Sequence, residues 1–321
     1  MSIGKALDIV ERAGVHGWAR AETALRFAAD REAKSPMAAA IIARDKMRLV
    51  ETIVRQCGYA LPLWALLPGF DQMRHRQPYD ETRVQEARAV MAALERLVSN
   101  APDRSLGEVL RQILILAHSA SDALGDSATA SEHSKGPFLL PPGPFEALRE
   151  AIAPLLGASS LLGALAALDR LVSDRALTVG SERVAAVFAW PIFLQRAVKL
   201  DVFRPPPPLP NSLPTLFTQI EADAENRRVL IGRVERWYDE ALQKAAYQRT
   251  GAYVPKALQW ICGHPVFTAQ TLAEKIGVVE RTGQILAKRL DNAGVIIPFQ
   301  KSGKLTLWTL KNDPYQEHQF I

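Results

Sequence analysis

The feature that most constrains this chain is the punctuation near its C-terminal end. Turn residues there cut the sequence into pieces that suit only a small helix-turn-helix. Pro255 to Ile261 reads as a short helix with proline at its first position, where the missing N–H costs nothing. Thr268 is a good N-cap for a helix over Ala269–Ile276, and Gly277 then breaks the pattern as a C′ glycine does. A second helix, Glu280 to Asn292, follows after a tight turn and stops at Gly294. Val295-Ile296-Ile297 and Leu305-Thr306-Leu307-Trp308 are strand-like and flank a basic hairpin tip, Lys301-Ser302-Gly303-Lys304. The expectation is a winged helix-turn-helix with two short wing strands, a compact DNA-reading module.

In such modules the second helix enters the major groove and its first turns face base edges. That turn is Glu280-Arg281-Thr282-Gly283-Gln284. With Ile285, Leu286 and Leu290 expected in the core, the outer face carries Glu280, Arg281, Gln284 and Lys288. Arg281 suits a bidentate contact to guanine and Gln284 one to adenine. Lys288 and Arg289 sit where a phosphate would lie, and Lys301 and Lys304 on the wing reach for the backbone or an adjacent minor groove. Thr268 and Thr282 complete the expected DNA-binding set. Val279 stands where Ser or Thr would cap the helix, which forgoes about 1 kcal/mol. Gly283 inside the helix costs another ~1 kcal/mol relative to alanine and suits close approach to the preceding helix. Glu280 fits the helix dipole and can accept from cytosine, and it also suits a protein-binding winged helix.

Charge points the same way. The net charge is +5 over 321 residues, a mild excess. From Pro255 onward eight Lys/Arg stand against five Asp/Glu, so most of the excess lies in the candidate reading module. Duplex DNA is therefore the expected partner.

Upstream the pattern is helical, and the expected fold is mostly α, a multi-helix body carrying the C-terminal wing. Residues 1–125 form an N-terminal helical domain with apolar residues at three- and four-residue spacing. Within it Ser35-Pro36 opens a helix to about Cys57, Asp80 starts one to Ser99, and Asp103 or Ser105 caps the next. Leu61 to Gly69, with Trp64, is an apolar turn region. Residues 126–143 read as a linker with a small, polar run, and 144–204 as a further helical segment. Ser160 opens a helix to Ser173, and Ser181 caps one to about Lys199 that Pro191 should kink or divide. Residues 205–214, with four consecutive prolines, are a stiff spacer. Thr215 to Thr250 is a long amphipathic helix, the core of a connector over 215–254. The winged helix-turn-helix occupies 255–312, and 313–321 is a tail.

Little else carries chemistry. No GxxxxGK[ST] or GxGxxG occurs. Cys57 and Cys262 share no CxxC or Cys/His spacing, which argues for a reducing cytoplasm and against structural zinc. No apolar stretch is long enough for a membrane span. His118 precedes Asp122 by one helical turn, and without a third ligand it reads as a satisfied helix histidine. Arg74-His75-Arg76 reads as a solvated basic loop. Trp18, Trp64, Trp190 and Trp237 fall on apolar faces and are expected in the core. No catalytic, cofactor or metal site is expected, and the chain is not expected to be an enzyme.

The runs Leu272-Ala273-Glu274-Lys275-Ile276-Gly277-Val278 and Leu290-Asp291-Asn292-Ala293-Gly294-Val295-Ile296 resemble the winged-helix tail behind many Fic-family proteins. The helix from Thr215 to Thr250 stands where that family has its last long helix, and Phe138-Leu139-Leu140-Pro141-Pro142-Gly143-Pro144 is similar to the Pro-rich segment ahead of a Fic core. The resemblance implies a helical body over 144–250. The Fic signature, His-Pro-Phe followed by a Gly-Asn-Gly-Arg anion loop, is missing. The only His-Pro is His264-Pro265-Val266-Phe267, with no glycine loop after it, so no catalytic residue carries over. The function expected is a cytoplasmic bacterial transcriptional regulator reading duplex DNA as a homodimer, with room for a protein partner on the helical body. The alternatives are a protein-interaction scaffold whose winged helix binds protein, and a catalytically dead Fic-like protein or nucleotide binder.

Overall fold

A computed structural model describes residues 15–59, 61, 81–124, 140–200, 206, 213–246, 252–302 and 305–315. Across these the chain is mostly helical, with one small antiparallel sheet near the C-terminal end. Among the described residues, no helix is long and apolar enough to cross a membrane. Trp64, the loop at Arg74-His75-Arg76, the polyproline run apart from Pro206, most of the 126–143 linker and Lys304 lie outside the described residues.

Two compact units emerge. Among the described residues, the first comprises 15–29, 46–59, 61, 81–124, 140–200, 206 and 213–224, and the second 30–45, 225–246, 252–302 and 305–315. In the first unit the central element is α8 (Glu182–Val198), which buries Phe188, Trp190, Ile192, Phe193 and Leu194 among others. It packs on α3 (Glu81–Asn100), α4 (Leu106–Leu124), α5 (Pro142–Gly157) and α6 (Leu161–Val172). A short turn, α7 (Arg175–Thr178), leads into it. A helix apolar on nearly every side must be covered on nearly every side, and in α8 Arg183 is the one exposed residue. Pro191 lies inside α8 but does not divide it. Ser181, expected to cap α8, instead donates its hydroxyl to the Thr178 carbonyl at 3.2 Å.

Other caps fall where side chains dictate. The Ser105 hydroxyl accepts from the Glu108 amide at 3.3 Å, while Glu108 accepts from the Ser105 amide at 2.9 Å, a reciprocal capping box. The Ser160 hydroxyl accepts from Gly163 N at 3.1 Å and starts α6. Cys57 is half-buried, its thiol donating to the Ala120 carbonyl at 3.6 Å. Burial pushes that thiol up to about 11, so it stays protonated near pH 7. His118 lies 3.5 Å from Asp122 across one helical turn.

Two helices begin in the first part of the chain, α1 (Val15–Ala33) and α2 (Ala38–Gln56), and a long one, α9, spans Leu213–Ala246. In the second unit, Met37 and Ile41 pack with Leu230, Ile231 and Val234 of α9, together with Cys262 and Tyr315. Val229 of α9 is 57% exposed, one step outside this buried stripe. Arg227 is buried and fully paired. Its Nε donates to Glu32 Oε2 at 2.8 Å, and its Nη1 and Nη2 meet the two carboxylate oxygens of Asp45. Burial opposes this charge, but Asp45 and Glu32 override it and hold the guanidinium firmly protonated. Arg44 donates to the Cys262 carbonyl at 3.1 Å and to Asp313 at 2.8 Å, and its guanidinium lies 4.6 Å from the centre of the Tyr315 ring. Side chains before residue 46 thus complete the same unit as the C-terminal helices.

Candidate nucleic-acid interface

The winged helix-turn-helix begins with α10 (Val254–Gly263) and continues through β1 (Val266–Thr268), α11 (Ala269–Ile276), α12 (Glu280–Asn292), β2 (Ile296–Ser302) and β3 (Leu305–Leu310). The sheet has three strands in the order β1-β3-β2, not the two expected. The added strand pairs Val266 with Thr309, Phe267 with Trp308 and Thr268 with Leu307. It is too short to show a period of two, and Pro265 before it reads as a turn. The Thr309 hydroxyl donates to the Pro265 carbonyl at 2.7 Å and fixes that turn.

Thr268 ends β1 and caps α11 at once. Its hydroxyl accepts from Thr271 N at 3.0 Å, and the Thr271 hydroxyl accepts from Thr268 N at 3.0 Å. Gly277 closes α11 at φ +78, a conformation that costs glycine nothing, and its N–H returns to the Ala273 carbonyl. Lys256 Nζ donates to the Ile276 carbonyl at 2.9 Å, placing a cation at the negative end of α11. Gly283 lets α12 lie against α11: a Cβ there would stand 2.4 Å from the Ala269 carbonyl oxygen and 2.7 Å from Ala273 Cβ. The close approach expected of this glycine is present.

Behind the helices, His264 stacks on Trp260 with ring centres 4.3 Å apart, and Trp260 meets Phe267 edge-on at 5.8 Å. His264 Nδ1 lies 2.8 Å from the Trp260 carbonyl, which can only accept, so Nδ1 carries the proton. Burial lowers the His264 pKa to about 4, and the ring is neutral near pH 7. Cys262 is fully buried, its thiol pushed up to about 12 by burial, and serves as core. Trp190 is buried, while Trp18 and Trp237 are partly covered.

Arg281, Gln284 and Lys288 are exposed on α12, and Lys301 is exposed on β2 opposite Thr306. Thr282 and Arg289 are half-buried, with Arg289 Nη1 enclosed. Thr268 is 1% exposed, and its hydroxyl is used within the capping box, so it positions α11 and presents no side chain outward. Ile285, expected in the core, is 44% exposed, whereas Leu286 and Leu290 are 3% and 1% exposed. The inner stripe runs Gly283-Leu286-Ala287-Leu290, and Ile285 falls a step of about 100° outside it. Val279 does leave α12 without a side-chain cap, and it is 70% exposed. Gln284 Nε2 donates to Glu280 Oε1 at 3.0 Å, across one helical turn.

No group of three or more metal-ligating side chains occurs among the described residues. No family model matches the chain. No curated protein matches it significantly.

Proposed function

We propose that this chain is a DNA-binding protein, a transcriptional regulator that reads duplex DNA through its C-terminal winged helix, with α12 as the recognition helix. The observation that carries this reading is the outer face of α12, where Arg281, Gln284 and Lys288 are exposed at three- and four-residue spacing. Gly283, Leu286, Ala287 and Leu290 hold the opposite side in the core. In this reading Arg281 and Gln284 meet base edges, while Lys288 and Lys301 neutralise phosphates. Two copies of the chain would place two such helices on successive half-sites. The reading assigns the chain no reaction and no cofactor.

The test is fluorescence anisotropy of the full chain with random-sequence duplex DNA at two salt concentrations. Binding that weakens steeply with salt is expected, because each neutralised phosphate releases counterions. No binding at low salt would overturn the reading. Ile297 and Phe299, 39% and 43% exposed on β2, favour a second reading in which the same unit docks a protein. A steep salt dependence argues against that reading.

A further inference from the structure

Ile285 lies on the outer face of α12, 44% exposed. It lies one turn from Arg281 and next to Gln284, with Lys288 three residues on, and all four are exposed. A β-branched side chain lowers helix propensity, and solvent gives it nothing in return, so a solvated position there would be better served by lysine or glutamine. The surrounding cations suit a polyanion, and the isoleucine suits a methyl group carried by that polyanion. Beside it the Gln284 amide has a defined direction. A carboxylate only accepts, so the NH2 group of Gln284 must face Glu280 at 3.0 Å. The amide oxygen and the second N–H stay available, the pair that adenine N6 and N7 require. Thymine offers the major groove an O4 acceptor and a C5-methyl, and no other DNA base presents that methyl.

We infer that α12 reads an A·T pair with two adjacent side chains. Gln284 takes the adenine edge, Ile285 packs on the thymine C5-methyl, and Glu280 is a positioning residue that orients the Gln284 amide. This inference rests on the DNA-reading function proposed above and names the base pair recognised.

The test uses the full chain. Its tightest duplexes are selected from a random pool, and each thymine in them is replaced in turn by deoxyuridine, which removes only the methyl. One replacement is expected to weaken wild-type binding about three- to tenfold. Ile285→Ala should lose a similar factor on the thymine duplex and become indifferent to deoxyuridine at that position. Ile285→Val should keep part of the methyl discrimination. Glu280→Gln should relax the adenine preference without lowering affinity for random DNA. Because Ile285 and Glu280 are exposed, unchanged thermal melting will show that these variants fold. If wild-type protein binds deoxyuridine duplexes as well as thymine ones, or Ile285→Ala stays sensitive to the methyl, the A·T assignment fails while DNA binding stands. If no duplex binds at low salt, both fail.

Discussion

Helices α8 and α12 are both amphipathic-length segments with glycine or proline in their interiors, yet they use their surfaces in opposite ways. α8 buries thirteen of its seventeen residues. α12 buries four of thirteen, Gly283, Leu286, Ala287 and Leu290. A helix covered on all sides has its residues chosen by packing, and its sequence reports only shape. A helix held by one narrow stripe has most of its surface released from that demand. Its outer residues, Arg281, Gln284, Ile285 and Lys288 among them, are released from the packing that fixes the inner stripe.

The comparison breaks if outer residues of α12 matter to stability as much as inner residues of α8. Phe193 is fully buried, so Phe193→Ala should cost about 3–5 kcal/mol in urea unfolding, while Gln284→Ala should stay within about 0.5 kcal/mol. Acid sharpens the comparison through the interior of the winged helix-turn-helix. His264 takes up a proton near pH 6.5 when unfolded but only near pH 4 when folded. The unfolded chain therefore binds more protons between those values, and stability is lost as pH falls through that window, by roughly 3 kcal/mol in all. A urea midpoint flat from pH 7 to 4 would contradict this, and His264→Gln should remove most of the slope.

Next in size is Gly283→Ala. Helix propensity favours alanine by ~1 kcal/mol, but the new Cβ would press on the Ala269 carbonyl at 2.4 Å, so the two helices must separate. The net effect expected is a loss of about 1–3 kcal/mol in chemical unfolding, and a gain would show that α11 and α12 are loosely held. The smallest effect belongs to Val279→Ser. It supplies the missing cap and should stabilise the protein by about 1 kcal/mol, read as a higher melting temperature.

What the sequence revealed divides along physical lines. Thr268, Gly277, Ser160 and the Gly283 contact were legible because each is decided by a few neighbouring residues. β1 was not, because its three residues are a strand only through pairing with β3. Ile285 was misplaced because Ile285, Leu286 and Leu290 form an apolar group in sequence, and only the packed stripe decides which of them faces inward. The Glu280–Gln284 bond is a side-chain outcome that spacing permits without requiring, whereas the exposure of Arg281 followed from the helical period. The joining of 30–45 to the C-terminal unit left no local trace, since charge complementarity between Arg227 and Asp45 has no periodicity to detect.

Those buried arginine pairs bear on the order of events during synthesis. Arg44 and Asp313 are separated by 269 residues, and Asp45 and Arg227 by 182. At ordinary elongation rates the ribosome needs on the order of ten seconds or more to make such a stretch. Until then Arg227 has not been made for Glu32 and Asp45, nor Asp313 for Arg44, and the earliest-made part of this unit must wait for the latest. The unit therefore closes as a late, long-range event, and a chain that stops before Arg227 can form neither of these arginine pairs.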